Sequence, residues 1–261
     1  GQPARALEYY TQALDIRKKL AAADPSNAQA QRDLSLSYER LGDVTRQAGQ
    51  PARALEYYTQ CHEIRKKLAA ADPSDAQAQR DLSLSYIRLG EVTRQLGQPA
   101  RALEYYTQAL DISKKLAAAD PSDAQAQGDL SVSYIKLGDV TLQAGQPARA
   151  LEYYTQALDI RKKLAAADPS NAQAQTDMVV SLYKLGLTNR EMADYRAALM
   201  RFKDGLVVLA KLREAGRLQG TFAEWPAIIG NDIATCELLL KLSPGLLEDP
   251  AWPLLWGWPR F

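Results

Sequence analysis

One histidine, His62, and two cysteines, Cys61 and Cys236, are all that the 261 residues offer of those types. A single histidine excludes most histidine-based triads and every histidine-rich metal site. Two cysteines cannot build a disulfide framework and fit a reducing, cytoplasmic compartment. Charge of one sign is missing as well. The 32 basic and 31 acidic side chains leave +1, neither a basic field for nucleic acid nor an acidic tail. No run of about 18 uncharged apolar residues occurs, so nothing is expected to span a membrane. Gly1, followed by Gln-Pro-Ala-Arg, is neither a signal peptide nor a natural start, and the chain reads as a piece of something larger. With 46 % hydrophobic residues it can still bury a sizeable core.

What is abundant is repetition. Gly-Gln-Pro-Ala-Arg-Ala-Leu-Glu-Tyr-Tyr-Thr-Gln begins at Gly1, Gly49, Gly97 and Gly145, a period of 48 residues. Residues 1–48 and 97–144 agree at 41 of 48 positions, which implies recent duplication and identical modules rather than one bespoke active site. A degenerate fifth copy follows, with Ala193-Asp194-Tyr195-Arg196-Ala197-Ala198-Leu199 in place of the opening motif.

Each module reads as two helices. Ser26 with Gln29 makes an S-x-x-Q capping box, repeated as Ser74/Gln77, Ser122/Gln125 and Ser170/Gln173. Ala30, Leu34, Tyr38, Leu41, Val44 and Ala48 then recur at the 3–4 spacing of one buried helical face. Gly49 stands where a left-handed C-cap is needed, and Pro51 falls in the first turn of the next helix. That helix carries Ala54, Leu55, Tyr58, Ile64 and Leu68 before Asp72-Pro73 stops it. No window alternates with period two, so the expected class is all-α.

At this point the residues resemble the tetratricopeptide repeat family. Its signature is an aromatic, then Leu-Gly, then Ala-x3-aromatic in the second helix, then Pro. Here it reads Tyr38-x2-Leu41-Gly42, Ala54-x3-Tyr58 and Pro73, and it recurs as Tyr86/Leu89/Gly90 with Ala102/Tyr106/Pro121 and as Tyr134/Leu137/Gly138 with Ala150/Tyr154/Pro169. The fourth version has Leu182, Leu185-Gly186, Ala198 and Phe202. The resemblance implies a right-handed α-solenoid of antiparallel hairpins over residues 1–215. The family's usual unit is 34 residues, so this looks like a long variant, with 14 residues added at the far ends of both helices. Shared equally, that is seven residues, about 10 Å, per helix. Leu20, Ala23 and Ala30 and their equivalents are expected to pack the extension.

Beyond the array, Thr221-Phe-Ala-Glu224 reads as a capping box opening a helix that closes the solenoid over residues 216–242. Residues 243–261 form a tail rich in Pro and Trp, with Trp252, Trp256 and Trp258. That tail docks on the capping helix, is a non-native end, or inserts into a groove as a ligand-like segment.

The candidate chemistry is thin. Cys61-His62 is the one catalytic-looking pair, but neighbours on a helix point about 100° apart. Cys61 also fills a slot held by Ala13, Ala109 and Ala157 in sister repeats. Arg17-Lys18-Lys19 and its equivalents read as a solvated face, since each module balances its charge. No phosphate loop, zinc spacing or nucleophile elbow is present, and no enzyme activity or cofactor is expected.

The resemblance implies that the first helix of each hairpin lines a groove for an extended peptide or helix. Mapped onto this sequence, that face gives Glu39, Asp43 and Arg46, then Ile87, Glu91 and Arg94, then Ile135, Asp139 and Leu142, then Tyr183, Leu187 and Arg190. Variation at Glu39/Ile87/Ile135/Tyr183 is either ligand adaptation or neutral drift at an exposed position. The family's clamp for chaperone tails needs Lys and Asn here and is not carried over. The expected function is a protein-interaction scaffold. Self-assembly is the alternative, because the first helix lacks its partner and its face carries Leu7, Tyr10 and Leu14. A dimer formed by this face, by the tail, or by exchange of near-identical hairpins between chains follows from that reading.

Overall fold

The computed structural model describes residues 3–242, with side chains from Leu7 onward. The reading of the tail, with Trp252, Trp256 and Trp258, lies outside the described residues. Every regular element among the described residues is helical. The chain divides into two compact units, residues 1–146 and 147–261. The first holds α1 (Pro3–Ala23), α2 (Ala28–Gln47), α3 (Pro51–Ala71), α4 (Ala76–Gln95), α5 (Pro99–Ala119) and α6 (Ala124–Gln143). The second holds α7 (Pro147–Ala167), α8 (Ala172–Glu191), α9 (Tyr195–Glu214), a short 3-10 turn (Gly220–Glu224) and α10 (Trp225–Leu242). Within each unit, consecutive helices pack against one another as antiparallel neighbours.

Glycine and proline set the turns as the sequence predicts. Gly49, Gly97 and Gly145 sit at φ of +74°, +74° and +72°, the left-handed region that side chains with a Cβ disfavour. Around Gly49, Gln50 N–H donates to the Thr45 carbonyl at 3.1 Å and Gly49 N–H to the Arg46 carbonyl at 3.0 Å, closing a Schellman-type end. Pro51 and Pro99 then open the following helices at their first turn. The degenerate repeat replaces both devices. Ala193 takes φ +60° in place of glycine, and Asp194 caps α9 by accepting from Ala197 N–H at 3.0 Å.

The capping boxes fall one residue out of place. The N-caps are Asn27, Asp75, Asp123 and Asn171, whose side chains accept from backbone N–H groups of the first turn. Ser74 instead donates its hydroxyl to Asp72 at 2.6 Å, fixing the Asp-Pro-Ser turn, while Gln77 donates to Asp81 at 2.8 Å. Asp and Ser are comparable N-caps, and the serine hydroxyl is already taken by the Asp72 carboxylate. Thr221 is likewise no cap, since residues 220–224 are a 3-10 turn.

The helix extension packs only partly as expected: Ala78 and Ala126 are buried and Leu68, Leu116 and Leu164 half-buried. Leu20 is 59 % exposed, and Ala23 with its equivalents faces solvent. Ala21, Ala69, Ala117 and Ala165 are buried instead. Their carbonyls accept from the carboxamides of Gln31, Gln79, Gln127 and Gln175 at 3.2, 3.1, 3.2 and 3.0 Å. One glutamine per hairpin thus satisfies a carbonyl near the end of one helix from the start of the next.

In three hairpins an aromatic ring is laid on a glycine. A Cβ on Gly42 would lie 2.5 Å from the Tyr58 ring, on Gly90 2.4 Å from Tyr106, and on Gly186 2.4 Å from Phe202. These rings are fully buried, beside Leu41, Leu89 and Leu185. We predict that Gly90→Ala lowers stability by about 1–3 kcal/mol through overpacking, although Ala favours a helix by about 1 kcal/mol over Gly. An unchanged or raised urea midpoint would refute the contact as the reason for the glycine.

Candidate functional site

The face expected to form a groove is built from α2, α4 and α6, the first helices of their hairpins. In the first unit these are tied edge to edge by ion pairs. Arg32 of α2 reaches Asp75 at 3.3 Å and Asp81 at 3.2 Å, and Arg80 of α4 reaches Asp123 at 3.0 Å and Asp129 at 2.9 Å. Arg88 of α4 turns to Glu39 at 3.2 Å and to Glu91 at 3.3 Å, and Lys136 of α6 meets Glu91 at 2.5 Å. Asp43 accepts from the Tyr58 hydroxyl at 2.7 Å. In sequence register, the position of Arg32 and Arg80 next holds Gly128, and that of Asp75 and Asp123 next holds Asn171.

This arrangement corrects the reading of the outermost positions. Glu39, Ile87 and Ile135 are 6, 7 and 6 % exposed, so they are not the solvent-facing row that their variation suggested. Helices flanked on both sides by neighbours bury more than one stripe, as the buried Ser35, Ser37, Ser83, Ser85, Ser131 and Ser133 also show. Sequence periodicity flagged none of these serines, because small polar residues carry no hydropathy signal. Asp43, Arg46, Glu91, Asp139 and Leu142 are half-buried and Arg94 is exposed. Arg94 lies 3.5 Å from the Gln143 carboxamide oxygen.

Glu39 is the best-held charge of the face. Its carboxylate receives Arg65 of α3 at 2.6 Å on one oxygen and Arg88 on the other. Burial pushes its pKa up, but Arg65 and then Arg88 outweigh burial and hold the carboxyl below its ordinary range. Glu91 is lowered in the same way: burial opposes and Lys136 prevails.

In the second unit the mapped residues are engaged by α9 and α10. The Tyr183 hydroxyl donates to Asp232 of α10 at 3.0 Å, and its ring lies 5.2 Å from Trp225 and 5.7 Å from Phe202. Burial, then the bond to Asp232, pushes the Tyr183 phenol up to about 12. Arg190 pairs with the same Asp232. Tyr183, Leu187 and Arg190 are half-buried, and Tyr183 and Leu187 pack against the core that α9 and α10 share. They are engaged by α9 and α10 rather than standing as an open wall.

Cys61 and His62 are both buried. Burial pushes the Cys61 thiol up to about 12 and the His62 imidazole down. His62 Nδ1 lies 2.9 Å from Ser85 Oγ, and its ring lies 4.5 Å from that of Tyr86. A protonated thiol beside a neutral, engaged imidazole is not an activated nucleophile. Among the described residues no group of three or more His, Cys, Asp and Glu could hold a metal ion, and no helix is long and apolar enough to cross a membrane.

On α1, Leu14 is 5 % exposed and already packed within the chain, Leu7 is half-buried, and Tyr10 is 37 % exposed. The face is therefore narrower than the sequence predicts.

The depressed carboxylates predict an acid limb. A group whose pKa is lowered on folding contributes stability above its ordinary value, 4.5 for Glu39 and Glu91, and that stability is lost as pH falls through the folded value. Urea midpoints should therefore fall below about pH 4.5. Glu39→Gln should flatten that fall while lowering the midpoint at neutral pH. A wild-type acid limb in Glu39→Gln would show that another carboxylate sets it.

No curated protein matches the chain in sequence. Among solved structures the chain is similar to BtubC (BKLC) from P. vanneervenii, at 16 % identity and TM-score 0.62 over 96 % of this chain and 95 % of that one. It is similar to the apo form of RapI, at 15 % identity and TM-score 0.64 over 91 % of this chain and 75 % of that one. A third likeness is a single-residue variant of the nearly identical TPR-like repeats of a Podosopora anserina kinesin light chain, at 17 % identity and TM-score 0.51 over 81 % of this chain and 93 % of that one. Likeness at this identity shows the fold. Two descriptions of the tetratricopeptide repeat match the sequence, one over residues 81–163 and one over residues 1–60 and 135–205. With the ring-on-glycine hairpins, these matches establish that the chain belongs to the tetratricopeptide repeat family.

Proposed function

We propose that the chain is a non-enzymatic, cytoplasmic scaffold of a long-repeat kind, which holds an extended peptide or a helix of a partner protein against α2, α4 and α6. The observation that carries this reading is the row Asp43, Arg46, Glu91, Arg94, Asp139 and Leu142. These residues sit at matching register positions of three neighbouring helices, half-buried or exposed. Glu39, Ile87 and Ile135 lie beneath that row and shape it without touching a ligand. Because Glu91 is already paired with Arg88 and Lys136, a partner gains from it only by replacing those bonds. Arg94 and Leu142 are the residues most open to new contacts. Mixed charge and partial burial predict binding that weakens with salt without vanishing.

The test is a peptide-library selection on the folded chain, with hits measured by calorimetry. Arg94→Glu combined with Leu142→Asp should weaken the selected peptides at least tenfold. Peptides indifferent to both changes would place the binding surface elsewhere.

A second reading, self-association through α1, has one observation in its favour. Tyr10 is 37 % exposed, whereas Tyr58 and Tyr106 at the same register position are 1 % exposed. An aromatic so placed favours cover by a second copy. Light scattering at high micromolar concentration should then give about twice 28.8 kDa, and Tyr10→Lys should return the monomer. A wild-type monomer under those conditions would eliminate this reading.

A further inference from the structure

The repeats are so alike that the chain faces a problem of its own making. α2 and α4 differ at two positions, Glu39/Ile87 and Asp43/Glu91. α3 and α5 differ at four, Cys61/Ala109, His62/Leu110, Glu63/Asp111 and Arg65/Ser113. By shape alone α2 could pair with α5 of its own or another chain, and α4 with α3, as readily as each pairs with its own successor. Such 48-residue slips and exchanges would leave almost every apolar contact intact.

The differences are not scattered. His62 and Arg65 of α3 and Glu39 of α2 are all buried and polar, and Cys61 is buried one turn from Arg65. Arg65 is 1 % exposed and Glu39 6 %. Arg65 Nη2 donates to Glu39 Oε2 at 2.6 Å, Nε to Ser35 Oγ at 3.3 Å and Nη1 to the Asp81 carbonyl at 3.3 Å. Arg88 of α4 holds the other oxygen of Glu39. His62, on the same helix as Arg65, bonds Ser85 of α4. These bonds together join α2, α3 and α4. In the next hairpin the same positions are apolar or small: Ile87, Leu110, and Ser113, whose hydroxyl lies 3.1 Å from Ser83 and 3.0 Å from Ser133.

We propose that the Glu39–Arg65–Arg88 triad, with the His62–Ser85 bond, is a register lock. Against a slip of one 48-residue module it makes α3, and not α5, the helix that pairs with α2; Arg161 of α7 stands at the same register position two modules on. Its force comes from the wrong pairings. α5 in the place of α3 puts Ser113 opposite Glu39, and α4 in the place of α2 puts Ile87 opposite Arg65. Each strands a charge in a seam closed to water, and a buried charge without its partner is far more destabilising than the intact pair is stabilising. The lock thus acts on competing states more than on the native one. It also bears on exchange of hairpins between chains, which near-identical modules would otherwise permit.

The experiment compares three forms of the chain, each unfolded in urea and refolded at tens of micromolar from a mixture of donor- and acceptor-labelled molecules. Wild type should return one species with little energy transfer. The variant Glu39→Ile/Cys61→Ala/His62→Leu/Arg65→Ser gives the second hairpin the seam residues of the third, so its urea midpoint should not fall. It should nevertheless refold with at least fivefold more mixed-label oligomer. The variant Ile87→Glu/Ser113→Arg keeps the original lock and adds the Glu–Arg pair to the third hairpin, so the pair no longer marks one seam. It too should raise mixing, which a merely stabilising ion pair would lower. Wild-type mixing in both variants would overturn the proposal, as would a rise confined to the first with its midpoint lowered.

Discussion

A single contact sets the distance between the helices of a hairpin: an aromatic ring resting on a glycine of the preceding helix. Tyr58 lies on Gly42, Tyr106 on Gly90 and Phe202 on Gly186, with no room for a methyl group between them. Glycine in a helix interior costs about 0.5–1 kcal/mol, so it persists only where such proximity is required. The leucine before each glycine is then fully buried, and the Tyr58 hydroxyl donates to Asp43, the residue after Gly42.

Much of this was legible in the sequence, for a physical reason. Gly49 and Pro51 act locally, through φ and a missing N–H, and the Leu-Gly and Ala-x3-Tyr spacing is read along a single helix. What eluded the sequence depends on neighbours. Ser74 and Asp75 are both good N-caps, and only the geometry of the Asp72 turn, which takes the serine hydroxyl, decides between them. Glu39 looked like an exposed variable residue because no pattern within α2 reveals that Arg65, 26 residues on, and Arg88, 49 residues on, converge on it. Tyr183 and Arg190 looked like groove residues for the same reason: Asp232, which engages both, belongs to a helix with no counterpart in the repeat.

The same charges therefore serve two ends. Those deep in the seam, Glu39 and Arg65, discriminate between pairings. Those nearer the surface, Arg32, Arg80, Glu91 and Lys136, join one hairpin to the next. Of the surface row, Arg94 is exposed and Leu142 half-buried. A face made this way is stiff, because the groups that shape it are already bonded to one another.

The joining pairs have a consequence for how such a gene changes over time. Arg32 of one module grips Asp75 and Asp81 of the following one, and Arg80 grips Asp123 and Asp129. Donor and acceptor always belong to successive copies, never to the same one. If recombination removed residues 48–95, Arg32 would meet Asp123 and Asp129 and find the same chemistry it had lost. An inserted copy would find its partners equally ready on both sides. Copy number can thus drift with little electrostatic penalty at these junctions. The departures at Gly128 and Asn171 are the kind of paired erosion by which one junction ceases to be interchangeable with the rest.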